Sequence, residues 1–136
     1  MNRITTTDYD EIFPNMNFSE EEGDKINEAI SCGNVVAATD GSVTNNMGSG
    51  AFCLSTKDGD ILFDYSFPIP GAITDTHSTR TEMMAILGVL IFLRKIHSKY
   101  KHPNKPNVLI YTDSKNAIKT AFEKIFVSIS NIFEND

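Results

Sequence analysis

The chain has 136 residues with 40 % hydrophobic and 22 % charged residues, which suits one soluble domain and excludes a disordered or collagen-like chain. The longest apolar run, Met83 to Leu93, has eleven residues including one glycine, well short of the roughly 20 that cross a bilayer. The net charge of −6 belongs to residues 1–34, where eight acids face two bases; the ten acids and ten bases of residues 35–136 cancel, so net charge does not argue against a nucleic-acid partner.

The N-terminus MNRITTTDYDEIF lacks the apolar stretch of a secretory signal. Cys32 and Cys53 form neither a disulfide framework nor a metal spacing. The expectation is an intracellular protein, cytoplasmic or nuclear, with reduced thiols and no membrane contact.

Residues 1–18 show no period and read as a loosely held lead. Ser19 with Glu22 three positions on is a capping-box pattern, and Ile26, Ala29 and Ile30 follow at helical spacing up to Gly33. Residues 1–34 are thus expected to be an acidic lead with a short helix. Val35 to Thr39 reads as a buried strand that Asp40-Gly41-Ser42 ends, and residues 45–50 read as a loop. Residues 51–56 form the next strand, Lys57-Asp58-Gly59-Asp60 a turn, and residues 61–67 a third strand, stopped by Pro68, Pro70 and Gly71. Thr79-Arg80-Thr81-Glu82 is a second capping-box pattern opening a helix over about residues 79–97. Asn107 to Thr112 is a fourth strand, apolar enough to be central. Asp113-Ser114 opens a last helix to Val127, and the tail 128–136 carries no assignment. A three-strand antiparallel meander followed by αβα predicts a mixed α/β sheet with helices packed on it, over residues 35–127.

Three acids stand at element junctions: Asp40 at the end of strand one, Glu82 in the first turn of the long helix, and Asp113 at the end of strand four. If strands one and four are parallel neighbours, both aspartates leave the same sheet edge, where sites form in such folds. Converging carboxylates repel one another and need cations; hard oxygen ligands suit Mg²⁺ or Mn²⁺. Two such ions about 4 Å apart clamp a phosphodiester. Each acid also has a plainer reading: Asp40-Gly41 as a hairpin turn, Glu82 as the capping partner of Thr79, Asp113 as an N-cap. Their joint placement favours the site. Arg94, Lys95, Lys99, Lys101 and Lys105 form the basic cluster of the chain. They read better as a solvated helix C-terminus than as a phosphate-binding patch.

Four blocks in order carry a family resemblance: Ala38-Thr39-Asp40-Gly41-Ser42, Gly48-Ser49-Gly50-Ala51-Phe52, Ser78-Thr79-Arg80-Thr81-Glu82-Met83-Met84-Ala85 and Tyr111-Thr112-Asp113-Ser114. Together they resemble the ribonuclease H domain, in the version found in reverse-transcribing elements such as retrotransposons, over roughly residues 25–125. The resemblance implies a five-stranded mixed sheet and Mg²⁺- or Mn²⁺-dependent endonucleolytic hydrolysis of the RNA strand of an RNA–DNA hybrid. It implies that Asp40 bridges two metals, with Glu82 and Asp113 on the leaving-group side. It implies that Gly41, Ser42, Asn45, Ser114 and Asn116 approach the nucleic acid. Shape and 2′-hydroxyls would mark the RNA strand.

The family's fourth metal ligand lies on a last helix after a fifth strand, and only 23 residues follow Asp113. The expectation is therefore a C-terminally truncated fold lacking that strand and helix. Glu134 or Asp136 is the candidate substitute for the ligand, and self-association or a partner chain held through the apolar tail is the candidate completion. The alternatives to a nuclease are a catalytically incomplete nucleic-acid-binding or structural module, or an interaction domain.

Overall fold

A computed structural model describes residues 10–45, 47–69, 78–101 and 108–112. Its elements are α1 (Glu20–Ser31), β1 (Val36–Thr44), β2 (Met47–Ser55), β3 (Ile61–Ile69), α2 (Ser78–Tyr100) and β4 (Leu109–Tyr111). The strands form one mixed sheet in the order β3-β2-β1-β4. β1 and β2, and β2 and β3, pair antiparallel, while β4 runs parallel to β1 with Ala38 opposite Tyr111. The expected α/β architecture is present. The expected last helix and tail lie outside the described residues.

Local chemistry accounts for most boundaries. At α1, the Glu22 amide donates to Ser19 Oγ at 3.1 Å and the Ser19 amide donates to Glu22 Oε1 at 2.9 Å, the two halves of the capping box. Gly33 follows with a φ of 66°, and the Asn34 amide closes the helix end on the Ala29 carbonyl at 2.8 Å. Between β2 and β3, the Gly59 amide donates to the Thr56 carbonyl and the Thr56 amide to that of Asp60.

Three expectations are corrected. First, Asp40-Gly41-Ser42 does not end strand one, and residues 47–50 are not loop. β1 pairs with β2 as far as Thr44 with Met47, and Asn45 enters the reversal with a φ of 51°. The glycines read as loop, but a β-carbon on Gly50 would stand 2.6 Å from the Phe67 ring, which fills that space from β3. Second, Pro68 does not stop β3, which runs to Ile69; as the sheet's edge strand it tolerates a missing donor.

Third, the lead is not loosely held over residues 10–18. Phe13 and Met16 are each 1 % exposed and belong to the same core as the sheet. Phe13 meets Phe67 edge to face at 4.9 Å, and the Tyr65 hydroxyl donates to the Pro14 carbonyl at 2.6 Å. Lys95, from the basic cluster, donates to Asp10 at 3.3 Å and to the Met16 carbonyl at 3.2 Å. Lys99 sits over the rings of Phe18 and Tyr100. These lysines fasten the lead to α2.

Alternation divides the sheet into two faces. Ala37, Thr39, Phe52, Leu54, Phe63, Phe67 and Ile69 point towards α2 and its Val89, Phe92 and Ile96. Phe63 stacks on Phe92 at 4.2 Å. The opposite face carries Ala38, Asp40 and Ser42 of β1, all exposed, with Cys53, Asp64 and Ser66.

Candidate functional site

Asp40 lies in the middle of β1, opposite Ala51, with its side chain on the face away from α2. It lines an open depression with Ala38, Ala51, Cys53, Asp64 and Ser66, a floor of small side chains. Burial foremost, and then the charge of Asp64, push the Cys53 thiol above its ordinary pKa, so it is a poor nucleophile at neutral pH. Cys32 is the other free thiol and is exposed.

The next residue, Gly41, turns the opposite way and touches the start of α2. A β-carbon there would stand 2.5 Å from the Thr81 carbonyl carbon, 2.6 Å from the Glu82 nitrogen and 2.6 Å from Thr81 Oγ1. Only a residue without a side chain lets the helix backbone come this close. Helix and strand therefore meet backbone to backbone beside Asp40, and Glu82 begins at that contact. Gly41→Ala places a methyl against main chain that cannot rotate away. Its expected cost is about 1–3 kcal/mol of stability, read as a shifted urea midpoint.

Glu82 is 7 % exposed. Its expected place in the first turn is corrected: α2 begins at Ser78, so Glu82 is the fifth helical residue and Thr79 lies inside the helix. The capping-box spacing of Thr79 and Glu82 points to a start one residue later than the one observed. Packing on Gly41 places Glu82 instead.

Among the described residues, the buried polar or charged side chains are Thr39, Thr81 and Glu82. Thr39 precedes Asp40 in β1, and Thr81 and Glu82 are the residues of α2 that Gly41 meets. Burying such groups costs free energy unless they are bonded. Thr39 and Thr81 are not among the candidate site residues of the sequence, and their position next to the two acids is the signal that could single them out.

The other candidates divide. Ser42 is exposed, two residues past Asp40 on the same face, with its hydroxyl 2.7 Å from that of Ser49. Asn45 is exposed at the hairpin end. Asp113, Ser114 and Asn116, with Glu134 and Asp136, lie outside the described residues. Among the described residues no three His, Cys, Asp or Glu side chains group as metal ligands, and no helix is long and apolar enough to cross a membrane.

No protein-family model matches the chain, and no curated protein matches it. Solved structures do. LC11-RNase H1 in complex with an RNA/DNA hybrid superposes with a TM-score of 0.55 at 15 % identity, covering 74 % of this chain and 77 % of that one. A second structure of LC11-RNase H1, isolated from compost by a metagenomic approach, gives 0.55 at 18 % identity, covering 75 % and 76 %. RNase H1 from the halophilic archaeon Halobacterium salinarum NRC-1 gives 0.44 at 16 % identity, covering 72 % and 70 %. The chain has the ribonuclease H-like fold.

Proposed function

We propose that this chain is a nucleic-acid-binding protein of ribonuclease H type that cleaves the RNA strand of RNA–DNA hybrids with divalent metal ions. The observation that carries the reading is the contact at Gly41, which sets the start of α2 against β1 between Asp40 and Glu82. The fold likeness to LC11-RNase H1, a protein solved with an RNA/DNA hybrid, supports it.

The donor set fits hard cations: Asp40 offers an exposed carboxylate and Glu82 a buried one, on elements in direct contact. Asp113 is the third candidate ligand. In sequence, Asp40 and Asp113 each follow by two positions a member of the last β1–β4 pair, Ala38 and Tyr111. When bound, Mg²⁺ or Mn²⁺ would activate water and offset charge on the phosphodiester. The chain's own part is to hold the carboxylates aligned. Ser42, Asn45 and the backbone at Gly41 line the approach for the sugar–phosphate strand, with Ser114 and Asn116 as further contacts.

The test is a cleavage assay on a labelled RNA–DNA hybrid, with DNA duplex and single-stranded RNA as controls. The expected result is Mg²⁺- or Mn²⁺-dependent cutting within the RNA strand of the hybrid alone. Hybrid binding without cutting would establish the catalytically incomplete module instead, and no binding would leave an interaction domain.

A further inference from the structure

We infer that Ser49 is a positioning residue for nucleic-acid binding, holding the Ser42 hydroxyl where a sugar–phosphate strand lying on Asp40 meets it; the inference rests on the reading just proposed. Ser42 and Ser49 are register partners in β1 and β2, both are exposed, and their hydroxyls lie 2.7 Å apart. Either hydroxyl can donate to the other. The accepting one then keeps its own hydrogen to offer outward, and both oxygens keep lone pairs. A phosphate oxygen accepts that hydrogen, and a 2′-hydroxyl can both accept and donate.

The pair stands on the face that carries Asp40, two residues further along β1, which is about 7 Å at the rise of a strand. Small side chains surround it there. Ala51 lies opposite Asp40, and Ser66 of β3 lies opposite Ala51. Of the two residues paired with Ser49, Pro68 is apolar, so Ser42 is its polar partner. Charge gives the surface a direction. Every residue from Gly41 to Thr56 is uncharged. The other way along the face from Asp40, Cys53 pairs with Asp64, an exposed acid that repels phosphate. A polyanionic strand therefore leaves Asp40 over the hairpin, across Ser42 and Ser49. A lone exposed serine turns among rotamers. Bonded to its neighbour across the strands, the Ser42 hydroxyl is already held, and less order remains to be imposed on binding.

Four variants separate this role from a tie across the hairpin: Ser49→Ala, Ser49→Thr, Ser42→Ala, and Ser42→Ala with Ser49→Ala. Each full chain would be measured for Kd on a labelled RNA–DNA hybrid by fluorescence anisotropy with Ca²⁺ in place of Mg²⁺, for kcat and KM, and for Tm. Ser49→Ala is expected to raise Kd and KM about 3–10-fold and to keep kcat, the effect of one hydrogen bond. Ser49→Thr keeps the hydroxyl and binds as the wild type does. The double variant binds no more weakly than Ser42→Ala, because Ser49 acts through Ser42. A pair that only ties the hairpin lowers Tm and leaves Kd unchanged. That result, or a double variant weaker than Ser42→Ala, overturns the positioning role and leaves the proposed function standing. A wild type that binds the hybrid without cutting it overturns the cleavage alone, since the Kd ranks still decide on Ser49. A wild type that does not bind the hybrid overturns both.

Discussion

Asp40→Asn is expected to lower hybrid cleavage about 10³-fold or more while leaving thermal unfolding nearly unchanged. Asparagine has the same shape and one neutral oxygen where aspartate has two sharing a full charge. In the proposed site that charge offsets the cations, whose contribution to stabilising the transition state is several kcal/mol; each 1.36 kcal/mol is tenfold in rate. The fold does not depend on the charge. Asp40 is exposed, and its neighbours on the open face, Ala38, Ala51 and Ser42, are small. Exposed substitutions of this kind stay within about 0.5 kcal/mol. Gel-based cleavage rates and melting by circular dichroism check the two halves. Undiminished cleavage would remove Asp40 from the chemistry, and a large loss of stability would make it a structural residue.

What the sequence made legible, and what it hid, follows from the range of the interactions. The Ser19–Glu22 capping box, the Gly33 stop and the turn at Lys57–Asp60 are closed within a few residues, and they read correctly. Alternation in β3 was legible because Phe63 and Phe67 share one buried face. Gly48 and Gly50 misled because the ring that fills the space at Gly50 comes from Phe67, on another strand. α2 starts at Ser78, one residue before the expected Thr79, which moves Glu82 out of the first turn. Asp40 and Glu82 stood out by their positions at apolar elements. That Gly41 meets the backbone of Thr81 and Glu82, and that Thr39 reaches Tyr111, are tertiary facts with no local pattern. Phe13 and Met16 were hidden for the same reason: two anchors in an irregular segment have no period to detect.

Phe13→Ala tests that last feature and is expected to cost about 3–5 kcal/mol. Phe13 is 1 % exposed, lies edge to face on Phe67, and packs where Gly88 of α2 leaves room for a ring. Alanine would leave a cavity bounded by the sheet and α2, which the neighbouring helix and sheet can close only in part. With total stability of about 5–15 kcal/mol for such a domain, the loss takes a large share. The polar ties of the lead are weaker. Lys95–Asp10 involves a carboxylate whose side chain is 59 % exposed, and a pair of that kind contributes about 1 kcal/mol at most. Asp10→Ala should therefore barely move the urea midpoint that Phe13→Ala shifts strongly. A loss under about 1 kcal/mol for Phe13→Ala would mean that the lead is dispensable to the core. Gly88 lies six residues beyond Glu82, so the lead braces α2 away from the carboxylates. Below its lowered midpoint, Phe13→Ala should keep its cleavage rate per folded molecule. Asp40→Asn should do the reverse, keeping the fold and losing the rate, and the pair together separates what holds the site from what acts in it.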